Sequence, residues 1–372
     1  MITRIEIDGY KSFEGFSLHL PPFAVLVGAN ASGKSNLLEA VDLLGQLIRE
    51  PTGQALVDHA RRGGPKELFR RGPDNRPVEA MRIAAHVLVN GPEGYCLPRV
   101  EAEIRYADPP DPLCVSVLVS DVPNQAMRDM PLHTVDVAEH LVTATKDWRI
   151  LEPTPRAMRV VSSTYDTAPL AEDGKNLGAV LGRIARSPEG WRDFQADVAA
   201  LLPDLVDVTV EANTEWAQWD VWLQHKHEHR MTTNTASAGT LRVLALLAAA
   251  HDPDHEGVLM LEEPENHLHP SRIPQLLQRL RGRTSDRATL TSGNGRQTLI
   301  TSHSPVTLAA ALDMAPESVV FLDTVTRFDD GQPPRRLTRV RKVADEGERG
   351  TFVTPLEVRK YLDPVGRFSR GA

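Results

Sequence analysis

Three short groups of residues in this chain are spaced to act on a phosphate ester. The first, Gly28-Ala29-Asn30-Ala31-Ser32-Gly33-Lys34-Ser35-Asn36, fits the pattern G-x-x-x-x-G-K-[ST]. Its glycines let successive backbone N–H groups turn toward phosphate oxygens, and a helix beginning there adds its positive end. Lys34 can then reach the β- and γ-phosphates, and the Ser35 hydroxyl can ligate Mg²⁺. Gly28, Asn30, Gly33 and Asn36 complete the expected cradle. The second group is the pair Glu262-Glu263 at the end of the apolar run Val258-Leu259-Met260-Leu261. Beside a phosphate loop, Glu262 is placed to hold Mg²⁺ through its water shell, and Glu263 to orient and polarise the attacking water. The third is Thr301-Ser302-His303-Ser304-Pro305. A lone histidine more often has a structural role. One strand after the paired glutamates, His303 instead reads as a group that bonds the γ-phosphate or holds the water.

A fourth stretch, Ser237-Ala238-Gly239-Thr240-Leu241-Arg242, opens a helix. Taken alone, Ser237 is an ordinary N-cap. With Gly239, it is also an anion site at a helix start. Because the near side of the nucleotide already has its loop, a second such site suggests a second grip, supplied by another subunit.

The elements that must position these groups alternate. The strand at 23–27 leads into the loop, and a helix runs out to about residue 50, where Pro51-Thr52-Gly53 stops it. Runs at 81–88, 100–106 and 113–119 read as an antiparallel meander. From 174 to 202 the apolar spacing becomes helical, followed by a strand at 206–210. The last third reads helix 241–250, strand 258–261, helix 273–280, strand 298–301, helix 306–312 and strand 319–322. Strands alternating with helices imply a parallel sheet covered on both faces. The fold class is therefore α/β, with an antiparallel β subdomain and a helical lobe. No repeat and no sustained heptad pattern is present.

Composition narrows the function. The 372 residues carry a formal net charge of −8, which argues against a generally cationic nucleic-acid binder but leaves room for a local basic groove. Two basic stretches stand out, Arg61, Arg62, Lys66, Arg70, Arg71 and Arg335, Arg336, Arg339, Arg341, Lys342. Each reads first as solvated surface; interleaved aromatics for base stacking are absent. Cys96 and Cys114 are too few for a metal cluster or a disulfide framework. No run is long enough to span a membrane and the N-terminus has no signal-like apolar core, so a cytoplasmic protein without a membrane anchor is expected.

Taken together and in order, these motifs resemble the ATP-binding-cassette ATPases of the RecF/SMC/OLD kind, specifically the stand-alone bacterial "AAA family ATPase" proteins. Residues 28–36 are similar to their Walker A motif and 237–242 to their signature. Residues 261–270 resemble Walker B with the D-loop, and 301–305 the H-loop. Asp173-Gly174-Lys175-Asn176-Leu177 resembles a short element that these proteins carry before the helical region. The resemblance implies an ABC-type head over 1–325. That head divides into 1–122 with Walker A and a β lobe, 123–230 as an inserted β/helical region, and 231–325 with signature, Walker B and H-loop. A short basic extension fills 326–372.

The same resemblance implies slow or fast hydrolysis of ATP with Mg²⁺ in a head-to-tail homodimer or higher homo-oligomer, where Ser237 and Gly239 of one copy complete the γ-phosphate shell of the other. Two departures are visible. The signature reads Ser-Ala-Gly-Thr, and no Q-loop glutamine can be placed, since Gln46 and Gln54 lie too near the Walker helix. No coiled-coil arm separates Walker A from the signature, and too few residues follow Asp323 for a Toprim nuclease. The expected role is a switch that controls a DNA-directed process or a separate nuclease or toxin effector, in bacterial anti-phage defence, with double-stranded DNA as a partner. A RecF-like repair ATPase and an ATP-dependent scaffold are the alternatives. A transporter subunit fits the motifs poorly.

Overall fold

The computed structural model describes residues 1–60, 64–72, 74–91, 94–106, 113–120, 134–286, 295–328, 334–344, 346–348, 350–354, 356–358 and 360. The chain begins with β1 (Ile2–Asp8), β2 (Phe16–His19) and β3 (Phe23–Val27), then α1 (Lys34–Arg49) and α2 (Gly53–His59). A β-rich stretch follows: β4 (Ala80–Val87), β5 (Val89–Gly91), β6 (Gly94–Cys96), β7 (Arg99–Tyr106) and β8 (Leu113–Ser120). The middle holds α3 (Thr134–Thr145), β9 (Arg149–Leu151), α4 (Pro155–Met158), β10 (Ser162–Ser163), α5 (Leu177–Ile184), α6 (Pro188–Leu201), β11 (Leu205–Asn213), β12 (Gln218–His225) and β13 (Met231–Thr232). The last part runs α7 (Ala238–His251), β14 (Gly257–Glu262), α8 (Ile273–Gly282), β15 (Arg296–Ser302), α9 (Pro305–Met314), β16 (Val319–Arg327), β17 (Arg335–Val343) and β18 (Phe352–Val353).

The principal sheet has the order β18-β17-β16-β3-β15-β14-β9. Its centre is parallel, and β17 adds to β16 antiparallel. Successive residues of its central strands serve opposite cores, as a sheet covered on both faces requires. Val25, Val27, Leu259, Leu261 and Ile300 pack with α5, α6 and α7. Ala24, Leu26, Val258, Met260 and Leu299 pack with α1 on the other side. Each such aliphatic side chain stabilises the fold by about 2 kcal/mol on full burial, and this places the strand ends firmly.

The expected meander is present as a second, antiparallel sheet, β2-β1-β4-β7-β8, and α1 lies between it and the principal sheet. The helical lobe contains a further small sheet, β10-β12-β11, with β13 on β12. The α/β class and the mixed sheet are as the sequence implied. The chain does not leave the sheet after 325, however. β16 continues to Arg327, and β17 pairs with it from Val320↔Lys342 to Arg327↔Arg335. The polar, Arg-rich stretch that reads as a tail is thus a strand of the head. Its charge masks the strand pattern, yet it buries Leu337 and Thr338 and joins Arg339 to Asp323 at 2.8 Å. Among the described residues no helix is long and apolar enough to cross a membrane.

Candidate functional site

The parallel strands β3, β14 and β15 end together: Ser302 lies beside Val27 and Glu262 beside Thr301. That edge, where strands give way to loops and helix starts, is where α/β sheets bind ligands. The loop after β3 follows the sequence reading closely. Ser32 N donates to Ala29 O at 3.2 Å. Ala31 and Gly33 hold φ of 62° and 98°. Gly28 and Gly33 admit no side chain: a Cβ on Gly28 would lie 2.1 Å from Leu322 O, and one on Gly33 2.2 Å from Thr338 Oγ1. Lys34 folds back over the loop and donates to Gly28 O at 2.8 Å and Ala29 O at 2.9 Å. Burial pulls its pKa below the ordinary lysine value, against the opposing pull of Glu263, Glu262 and Glu265.

Ser35 Oγ donates to Glu262 Oε1. Burial raises the pKa of Glu262, and the neighbouring carboxylates Glu152, Glu39 and Glu263 add to this against the Ser35 bond. Glu263 differs. Burial is the largest single influence and acts upward, but the hydrogen bonds from Asn266 and His303, together with the electrostatic pull of His303 and Lys34, outweigh it and hold the carboxyl below its usual range. His303 Nδ1 lies 2.7 Å from Glu263 Oε1, and Asn266 Nδ2 donates to Glu263 Oε2 at 3.0 Å. Glu263 also sits at φ 44°, a left-handed conformation rare for a residue with a side chain. Strain of this kind gathers at functional sites. A cavity of about 680 Å³ opens beside Ser35, Glu262 and Glu263.

The comparisons with known proteins agree with this geometry. Residues 195–309 match a family model described as "AAA domain, putative AbiEii toxin, Type IV TA system", and residues 1–56 match one described as "AAA ATPase domain". The chain is 25% identical over 279 residues to the DNA replication and repair protein RecF of Acinetobacter baylyi, covering 68% of this chain and 74% of that protein. It is 26% identical over 280 residues to RecF of Acinetobacter baumannii, covering 68% and 73%. Among solved structures it is similar to an Smc head bound to the C-winged helix domain of ScpA, with a TM-score of 0.61 at 13% identity, over 92% of this chain and 98% of that one. It is also similar to the Smc head of Pyrococcus furiosus bound to the C-terminal domain of ScpA, with a TM-score of 0.56 at 11% identity, over 99% of both chains. These matches support an ABC-type ATPase head of the RecF/SMC kind.

In the terms of that fold, Walker A, Walker B and the H-loop meet at one place, and Ser237 and Gly239 of the signature take no part in the hydrogen bonds among them. Ser237 caps its own helix: its Oγ accepts from Thr240 N at 3.0 Å and lies 2.8 Å from Thr240 Oγ1. Gly239 lets the D-loop approach, for a Cβ there would be 2.9 Å from His267 O. Two Walker A residues also stand aside. Asn30 is exposed, and Asn36 Nδ2 turns away to donate to Ser12 Oγ at 3.1 Å.

Three residues that sequence reasoning passed over belong to the ABC-type site. Arg242, buried on the signature helix, donates to Glu262 O at 3.2 Å and Glu263 O at 3.0 Å, and so ties that helix to the end of Walker B. Glu265 is buried with a raised pKa, set mainly by burial and opposed by the bond from Ser302. Glu152 follows β9, the strand beside β14, and lines the cavity where no Q-loop glutamine could be placed. Arg242 and Glu265 stood inside recognised motifs, in Ser-Ala-Gly-Thr-Leu-Arg and Glu-Glu-Pro-Glu, and could have been flagged there. Glu152 carries no local signal.

Proposed function

We propose that this ATPase is a dimeric switch, closed by ATP between two heads and reopened by hydrolysis, that acts in a DNA-directed process. The observation that carries the proposal is the Glu263–His303 pair at 2.7 Å beside Lys34, Ser35 and Glu262. Glu263, kept ionised, serves as the group that accepts a proton from water. His303 and Asn266 hold its carboxylate in place, and Lys34 and the loop N–H groups grip the phosphates.

ATPases of this kind use ATP with Mg²⁺, and the donors here fit that ion: a hydroxyl and a carboxylate, both hard oxygen ligands, in contact. No cluster of three or more acidic, His or Cys side chains forms a metal cage among the described residues. That suits Mg²⁺, which takes one or two protein ligands and fills the rest with phosphate and water. Ser35 and Glu262 would hold it, and when bound it offsets charge on the phosphate oxygens.

The opposing grip comes from Ser237 and the backbone at Gly239 of a second copy. To invert a 1:99 population of closed heads, ATP must favour the closed state by about 5.5 kcal/mol. Two sites with several charge-assisted hydrogen bonds each are sufficient. The RecF relatives, named for DNA replication and repair, support a DNA-directed role. The match to the AbiEii-type domain supports a second reading, a defence switch that holds or releases a separate nuclease or toxin.

Mixing two dead variants tests the head-to-tail arrangement. Lys34→Ala spoils Walker A and Ser237→Arg spoils the signature. In a mixed dimer one site has both lesions and the other has none, so mixing restores ATP turnover. No recovery on mixing would overturn the arrangement.

A further inference from the structure

Ser302, the last residue of β15, is a buried node where three loops of the site meet. Its carbonyl accepts from Gly28 N of the phosphate loop at 3.4 Å. Its hydroxyl donates to Glu265 Oε1 in the D-loop turn. The same hydroxyl oxygen accepts from Ser304 N at 3.0 Å. These last two bonds bracket His303, one acting on the residue before it and one on the residue after it. Thr301 takes the other end of the turn: Glu263 N donates to Thr301 O at 3.1 Å and to its hydroxyl at 3.3 Å. Within the turn, Asn266 N donates to Glu263 O at 3.0 Å and Leu268 N to Glu265 O at 3.0 Å.

The bracket matters because packing does not hold the pair that it serves. The side chains of His303 and Glu263 are 44% and 28% exposed, and a contact so open to water fixes little by itself. The backbone must therefore keep the imidazole where it meets Glu263. Glu265 lies on the buried side of that backbone, at 8% exposure. Burying a carboxyl costs free energy that hydrogen bonds must offset. What the carboxyl supplies here is direction. A serine hydroxyl turns about its Cβ–Oγ bond and carries one donor and two acceptor sites. With its hydrogen taken by Glu265, its lone pairs are left for Ser304 N, and bonds in such a chain strengthen one another. Glu263 holds its φ of 44° between the two anchors, Thr301 and Ser302; a strained turn persists only where its surroundings over-determine it.

We propose that Glu265 is a positioning residue for ATP hydrolysis. Through Ser302 it fixes the backbone on both sides of His303 and so holds the imidazole against Glu263. Its action runs through His303 and not through the nucleotide: Glu262, Glu263 and Asn266 line the cavity beside Ser35, and Glu265 does not. The inference deepens the reading of Glu263 as the base and His303 as its support, and rests on that reading.

The experiment is a double-mutant cycle on steady-state ATP turnover by the full chain with Mg²⁺, with ATP affinity measured separately by calorimetry. Glu265→Ala should lower kcat about tenfold, as His303→Ala does, with KM and ATP affinity within about twofold of wild type. Glu265→Gln keeps an oxygen that accepts from Ser302 and should stay within about threefold of wild type. Glu265→Ala combined with His303→Ala should fall no more than about twofold below His303→Ala alone, because the two residues act as one unit. Ser302→Ala is a small change that removes both bonds of the bracket; it should match Glu265→Ala, and the two together should lose no more than either. A loss near about 100-fold in Glu265→Ala/His303→Ala, the product of independent effects, would overturn the proposal. So would wild-type kcat in Glu265→Ala, a Glu265→Gln as slow as the alanine variant, or an ATP affinity that falls in step with kcat. The reading beneath it fails in a different way. Normal turnover by His303→Ala or Glu263→Gln leaves no pair to position, whereas slow turnover by both with a normal Glu265→Ala refutes the role of Glu265 alone.

Discussion

The two proposed anion grips of this chain are finished to different degrees. On the Walker side, Lys34 bonds its own loop, Ser35 bonds Glu262 and His303 lies against Glu263, at the ends of three neighbouring strands. On the signature side, the Ser237 hydroxyl is occupied by its own helix and Gly239 packs on the D-loop of the same chain. Among the described residues the Ser237 hydroxyl bonds only within its own helix, to Thr240 N and Thr240 Oγ1, so the signature end is preformed. On the proposed reading, the contrast teaches that chemistry is built in each copy, whereas closure needs two.

The largest effect should come from Lys34→Ala. Loss of two charge-assisted bonds to phosphate costs about 3 kcal/mol or more, so calorimetry should find ATP affinity down by at least about 100-fold. Unchanged affinity would make the loop structural. Glu263→Gln should leave ATP affinity intact and slow turnover by about 100-fold or more, with closed dimers accumulating. A variant that turns over normally would remove Glu263 from the chemistry. His303→Ala takes one orienting bond from Glu263. It should cut kcat about tenfold, the equivalent of 1.4 kcal/mol, with KM little changed. A rise in KM alone would place His303 in binding. The smallest effect belongs to Thr338→Val, which deletes the bond to Ser32 O of the loop along with the contact to Ser12 Oγ; about 1 kcal/mol from the loop bond should raise the ATP KM about fivefold. An unmoved KM would separate β17 from the loop.

What could be read from sequence was whatever is local. The phosphate loop needs glycines at fixed offsets, and Gly28 and Gly33 are indeed positions that no side chain could enter. The paired glutamates end a strand because Val258 to Leu261 are apolar enough to be buried on both faces. The helices read at 273–280 and 306–312 are present as Ile273–Gly282 and Pro305–Met314. Contacts between distant segments were not legible. Arg242 reaches the Walker B carbonyls 20 residues away, and Thr338 reaches Ser32 across 306. β17 was hidden by its own arginines, whose partners Asp323 and Glu14 lie on other elements. β9 is three residues long and gives no pattern of its own.

The most direct test of closure between two copies is the solution mass of Glu263→Gln by light scattering, with ATP and Mg²⁺ and then with ADP. A dimer with ATP that reverts to monomer with ADP is the expected result. A monomer under both conditions, at protein concentrations well above those used for turnover, would contradict it.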